Sequence, residues 1–176
     1  MTRKAAGDGH GRIFISDGDW QPYHRFPMDG YDPSLSPDGT KLIWVDANRI
    51  WLWIYDFNTG FITPCNVQAT YGLHRPQLDN SNGNVVVASD DGNGTFDIYT
   101  WPVASQGPPN TGIIHLMSHA TSEAVFACFG TWVMAGGWNA AAGVYELACT
   151  DQYGGNFQWY DLSPGSVDEW MARHWP

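Results

Sequence analysis

The chain has 176 residues, a formal net charge of -10 and only 8 Lys plus Arg. A surface this acidic repels phosphate backbones and anionic lipid faces, which sets nucleic acid aside as a partner class; membrane insertion is not expected either, since no apolar run is long enough. Gly and Pro supply 20 and 11 residues and aromatics 15%, a mixture too apolar for a disordered chain and suited to one domain of short strands joined by tight turns.

The opening MTRKAAGDGHG lacks the apolar core of a secretory signal, and residues 1–11 are expected to be a flexible tail. No apolar run approaches the roughly 20 residues that span a bilayer, so the chain is expected to be soluble. Residues 12–30 follow as a partial unit around Ile13-Phe14. The next unit, about 31–71, contains the turn Ser36-Pro37-Asp38-Gly39, the apolar run Leu42 to Val45, the break Asp46-Ala47-Asn48-Arg49, and then IWLWIYDFNTG. A third unit, about 72–119, repeats the plan with Val85 to Ala88, the break Ser89 to Thr95, and FDIYTWPVA. A fourth, about 120–165, has Trp132 to Ala135, a break containing Gly137-Trp138-Asn139, and VYELACT. Residues 166–176 are a terminal strand or, because Ser166-Val167-Asp168-Glu169 matches a capping box, a short helix.

Two markers set the period. The pairs Leu52-Trp53, Ile98-Tyr99 and Val144-Tyr145 start 46 residues apart (52, 98, 144), and the turn glycines Gly39, Gly83 and Gly130 keep a similar spacing. Runs such as LIWV and VVVA do not alternate, so both of their faces must be covered. They are also too short and too β-branched for an ordinary helix. A sheet buried on both faces and repeated every forty-odd residues is what stacked blades require. The expected fold class is all-β: a β-propeller of four-stranded antiparallel blades, with about three complete blades and a split or partial blade from the two ends. Closure is open to three readings: a tight four-bladed ring, a homodimer that completes a ring, or an excerpt of a longer chain.

LSPDGTKLIWVDANRIWLWIYDFNTG resembles the repeat of TolB-type β-propellers, with a Ser-Pro-Asp-Gly turn before an apolar strand and Asp-x-x-Thr-Gly at Asp56 to Gly60. SDDGNGTFDIYTW resembles the hairpin and the Ile-Tyr strand of the same repeat. The later copies depart from it: Asp79 to Gly83 replaces the turn in one, and little beyond Gly130 remains in the other. The resemblance implies a propeller fold and an extracytoplasmic location, and no catalytic residue carries over from it.

No GxSxG, HExxH or phosphate-loop motif is present. The loops joining second to third strands converge on one rim of a propeller, so Asp46, Asn48, Arg49, Asp90, Asp91, Asn93, Trp138 and Asn139 form the expected contact surface. Indole faces beside Asn and Asp suit a sugar ring or a protein contact equally. The expected function is a non-catalytic binding or assembly module for a protein or a glycan. The alternative is a carbohydrate-active enzyme whose acid and base come from His74, His174 or the Asp90-Asp91 pair.

No cofactor is expected. Oxygen-bearing side chains at 91, 93, 95 and 97 offer a Ca2+ reading of the third unit's hairpin, but the glycine placement and bidentate Glu of a calcium loop are missing, and turn chemistry explains those residues better. His115 and His119 are four apart, which aims both at one metal only on a helix or one strand face, whereas His24 and His115 hold equivalent repeat places that suit a solvated edge. Trp44, Trp53, Trp101 and Trp132 are expected between blades, whereas Trp20, Trp138, Trp159, Trp170 and Trp175 lie in turns or near strand ends. Cys65, Cys128 and Cys149 lack CxxC spacing and are expected as packed thiols.

Overall fold

The computed structural model describes residues 3–18, 22–79, 83–103, 109–110, 112–120, 126–129, 132–139, 143–151 and 153–160. Fifteen strands and no helix lie among these residues. The first sheet is β1 (Lys4–Gly7), β2 (Arg12–Ser16) and β3 (His24–Asp29), all antiparallel. The second is β4 (Tyr31–Leu35), β5 (Lys41–Val45), β6 (Trp51–Asp56) and β7 (Ile62–Gln68), paired in chain order. Next come β8 (Leu73–Leu78), β9 (Asn84–Asp90), β10 (Phe96–Pro102) and β11 (Ile114–Ala120). The last group is β12 (Phe126–Phe129), β13 (Trp132–Asn139), β14 (Val144–Asp151) and β15 (Gln158–Tyr160). These last two groups are joined by the single pairing of Ala120 with Gly137.

The units are therefore three four-stranded meanders preceded by a three-stranded one, as a repeating blade demands. One expectation needs correction: Lys4–Gly7, placed in a tail, is a strand paired with β2 from Lys4↔Ser16 to Gly7↔Ile13. KAAG has no strand pattern of its own, and its partner imposes the conformation. Strand β1 packs on β4 as β5 packs on β8. It therefore holds a second-strand position, and no described strand pairs with its other edge. The segment 166–176, expected as a further strand or helix, lies outside the described residues.

The unalternating runs have a simple cause. In β5, Leu42 and Trp44 join a cluster with Ile13, Ile15 and Phe26 of the first unit, whereas Ile43 and Val45 join Leu73, Val85 and Val87 of the third. Strand β9 divides in the same way, with Val85 and Val87 facing back and Val86 and Ala88 meeting Val133, Ala135 and Ala148 of the fourth unit. Strands β5 and β9 are each the shared wall of two interfaces, so both of their side-chain sets are apolar. Aromatic edges fill the first interface: Phe26 meets Trp44 at 5.5 Å and Tyr55 at 5.2 Å, both edge-on. Gly30 is needed there, since a Cβ would come within 2.2 Å of the Trp44 ring and 2.4 Å of the Val45 carbonyl oxygen.

Of the tryptophans expected between blades, Trp44 and Trp101 are fully buried and Trp132 is 41% exposed. Trp132 is the first residue of its strand and pairs with Asp151 at the sheet margin. Cys65 and Cys149 are buried free thiols, and burial pushes Cys65 up to about 12.

Aspartates organise the turns. Asp38 accepts from the Ser36 and Thr40 hydroxyls and from the Thr40 N–H, while Ser36 Oγ accepts the Lys41 N–H. Asp79 accepts from the Gly83 and Asn84 N–H groups at the equivalent turn of the next unit. Asp56 caps the following turn through Asn58 and Thr59, and the Lys41 ammonium at 2.6 Å holds its carboxyl below the usual range.

Candidate functional site

Hairpins between second and third strands are built by the same device. Asp46 Oδ1 accepts from the N–H groups of Ile50 and Trp51, and Asp91 Oδ1 accepts from those of Asn93 and Thr95. Asp90 Oδ1 accepts from the Gly92 N–H at 2.7 Å. Asn48 and Asn93 are exposed at the tips. The two hairpins meet at Gly72, where an added Cβ would lie 4.0 Å from the Cβ atoms of both Arg49 and Asp90. Backbone bonds lock the junction, Leu73 N–H to the Arg49 carbonyl at 2.7 Å and Asp90 N–H to the Gly72 carbonyl at 2.8 Å.

Strain is concentrated on one side of this junction. Asp32, Arg49 and Arg75 have φ of 50°, 60° and 49°, in the left-handed region that non-glycine residues rarely adopt. Asp32 and Arg75 each precede a proline on an inner strand, and the pairing of β4 and of β8 slips at that point. One carboxylate bridges the three: Asp32 Oδ2 accepts from Arg49 Nη1 at 3.2 Å and from the Arg75 N–H at 3.1 Å. The Arg49 guanidinium lies 4.1 Å from the Tyr31 ring centroid and also reaches His74 Nδ1 at 3.1 Å. A guanidinium only donates, so His74 Nδ1 is the acceptor and the imidazole is neutral. Burial and the Arg49 charge both lower the His74 pKa, in agreement. At 3.9 Å the neutral ring forms no ion pair with Asp32.

On the other side lies a cavity of about 370 Å³ between the last strand of the second unit and the sheet of the third. Tyr71, Asp90, Asp91, Asp97, Tyr99 and Trp101 carry its polar and aromatic lining, and its described lining contains no Lys, Arg or His. Tyr71 is 65% exposed and lies on the hairpin, where a Cβ at Gly92 would come within 2.9 Å of its ring. Tyr99 donates to Asp97 at 3.1 Å and stacks on His115 with centroids 4.7 Å apart. Burial, with Asp97 next to it, raises the Tyr99 pKa, so the phenol keeps its proton. Asn110 closes the outer side by mimicking a strand: its Oδ1 accepts the Gln68 N–H and its Nδ2 donates to the Gln68 carbonyl, both at 2.9 Å.

The expected contact residues thus separate into three groups. Arg49 belongs to the strained cluster, with Asp46 and Asn48 in its hairpin. Asp90 and Asp91 line the cavity, with Asn93 beside them. Trp138 and Asn139, expected in a loop, still pair as strand, with Tyr145 and Val144 respectively, because β13 runs eight residues before its turn; their side chains lie outside the described residues, as do His174 and the side chain of His119. Among the described residues no three His, Cys, Asp or Glu side chains converge to hold a metal ion. Among them, too, no helix is long and apolar enough to cross a membrane. Sequence reasoning missed Tyr71, Asp97, Tyr99, Trp101 and Asn110 as neighbours. The signal available was Tyr71-Gly72 preceding a strand, where a glycine permits close approach of two hairpins.

No family model and no curated protein matches the chain. Solved structures do match. A TolB-like protein from Agrobacterium tumefaciens superposes with a TM-score of 0.64 at 13% identity, over 89% of this chain and 60% of its own. TolB from Acinetobacter baumannii gives 0.58 at 18% identity, over 93% of this chain and 41% of that one. The β-propeller domain of the trilobed protease from Pyrococcus furiosus, described as having an open velcro topology, gives 0.58 at 10% identity, over 85% and 48%. The chain therefore spans between 41% and 60% of the length of these three proteins. At these identities the likeness concerns fold alone, and that fold is a TolB-like β-propeller.

Proposed function

We propose that the chain is a non-catalytic binding module that contacts a protein or glycan through the rim formed by the hairpins of the second and third blades. The observation that supports this reading is the cavity beside the third blade's hairpin, where Asp90 and Asp91 meet Tyr71 and Tyr99 around a recess of about 370 Å³. That volume falls in the range of roughly 300–1,000 Å³ typical of small-ligand sites, and a few polar groups on an apolar floor are their usual lining. The enzyme alternative assigns acid or base work to His74, whose Nδ1 already accepts from Arg49. A ring held this way supports the junction and has only its Nε2 side to offer.

The test is a binding screen of the chain against immobilised glycans and a proteome-derived protein set, repeated with Tyr71→Ala. The expected result is a retained ligand lost by the variant at unchanged melting temperature, with no glycan turned over. Turnover that disappears in His74→Ala while the fold persists would replace this reading with the enzyme.

A further inference from the structure

Arg75 stands apart from the other arginines. Among the described residues Arg3, Arg12, Arg25 and Arg49 each reach a carboxylate, on Asp17, Asp8, Asp29 and Asp32 respectively. The exposed Arg75 guanidinium reaches none and makes no hydrogen bond among these residues, although Asp and Glu outnumber Lys and Arg by 18 to 8 in the chain. Asp32 holds the same place one unit earlier, before a proline, at positive φ and at a slip in the pairing. There the side chain accepts, and it bridges to the next inner strand through the Arg75 N–H. A guanidinium only donates, so Arg75 cannot repeat that structural role. It nevertheless keeps the strained conformation, with φ of 49°, and strain of this kind gathers at functional sites.

A second unused donor lies beside it. The slip between His74 and Gln77 breaks the alternation that would send His74 and Arg75 to opposite faces, and the Arg75 charge is felt at the His74 ring. Because His74 Nδ1 accepts from Arg49, Nε2 carries the ring's hydrogen, and it has no acceptor among the described residues. Gly72 leaves it open, since a Cβ there would lie 3.3 Å from Nε2. The nearby carboxylates are engaged: Asp32 with Arg49, and Asp90 with the Gly92 N–H of its own hairpin. We propose that Arg75, with the His74 Nε2–H beside it, binds a single carboxylate, the end of a peptide or a small organic acid. A guanidinium matches a carboxylate bidentately. The net charge of -10 opposes a polyanion at each of its charges and a monocarboxylate only once. This site lies across the Gly72 junction from the recess and does not rest on it.

Titration of the full chain with hippurate, followed by calorimetry and by the arginine side-chain N–H resonances, tests the proposal. Hippurate should bind. Hippuramide, of the same shape with a neutral amide for the carboxylate, should bind about tenfold more weakly or not at all, as loss of a charge-assisted contact implies. Arg75→Gln should cost hippurate a similar factor. Arg75→Gly should lose the same affinity while leaving the melting temperature unchanged or higher, because glycine adopts positive φ freely and keeps the N–H that Asp32 receives. Inorganic phosphate should bind less tightly than hippurate. Benzoate separates the two sources: weaker binding than hippurate assigns a peptide end, whose amide precedes the carboxylate, and binding at least as tight assigns a small acid. Equal binding of hippurate and hippuramide overturns the proposal, as does tighter binding of phosphate, an affinity unchanged by Arg75→Gln, or binding of neither hippurate nor benzoate. A lower melting temperature in Arg75→Gly overturns it too, since the arginine would then serve the fold.

Discussion

At the scale of single residues, His74 carries the most testable chemistry. Its folded pKa lies below the ordinary 6.5 because burial and the Arg49 guanidinium disfavour the charged ring. Below pH 6.5 the unfolded chain therefore binds a proton that the folded chain refuses. Stability that is complete above 6.5 is lost as pH falls through the lower folded value, and the loss levels off once both states are protonated. Chemical denaturation between pH 7.5 and 4.5 should show this slope, and His74→Gln, whose amide oxygen can still accept from Arg49, should flatten it. An unaltered slope in the variant would place the acid sensitivity elsewhere. Asp32 lies beside it, part-buried, accepting from Arg49 Nη1 and from the Arg75 N–H.

At the scale of the element, the Asp90 to Thr95 hairpin couples fold and site. Gly92 has φ of 80° and presses on Tyr71 with no room for a methyl group. Gly92→Ala should cost roughly 1–2 kcal/mol for the left-handed conformation alone and should push Tyr71 off the recess. Thermal melts together with the binding screen would show both losses, whereas loss of stability with unchanged binding would remove Tyr71 from the site. This element was legible in advance because its signals are local. An Asp-Asp-Gly-Asn-Gly break between Val85–Ala88 and an Ile-Tyr strand announces a hairpin from its own residues, as the unbroken apolar runs announce strands covered on both faces. The cavity was not legible in this way. Asn110 reaches Gln68 across 42 residues of chain, and Tyr71, Tyr99 and Trp101 become neighbours only when two blades pack. Lys4–Gly7 escaped notice for the converse reason, since its conformation belongs to its partner strand and leaves no trace in KAAG.

At the scale of the whole molecule, the division of labour within β5 and β9 makes adjacent residues report on different interfaces. Val87 faces the second blade and Val86 the fourth. Val87→Ala and Val86→Ala should each cost about 2 kcal/mol, the worth of two buried methyl equivalents with partial collapse. Hydrogen exchange should then separate them: the first loosening β5 and β6, the second β13 and β14. Identical exchange patterns would mean that the blades unfold as one block. The same arrangement dictates which changes in length the molecule tolerates. Inserting or deleting one residue inside β5 or β9 would exchange its two side-chain sets and spoil two interfaces together. A complete blade, by contrast, brings both faces of a new wall and restores the match. Such a chain can be lengthened or shortened by whole blades at small thermodynamic penalty and by fractions of a blade only in its hairpins. Architectures of this kind are thus expected to differ from one another by whole numbers of blades, with variation in recognition confined to the loops between them.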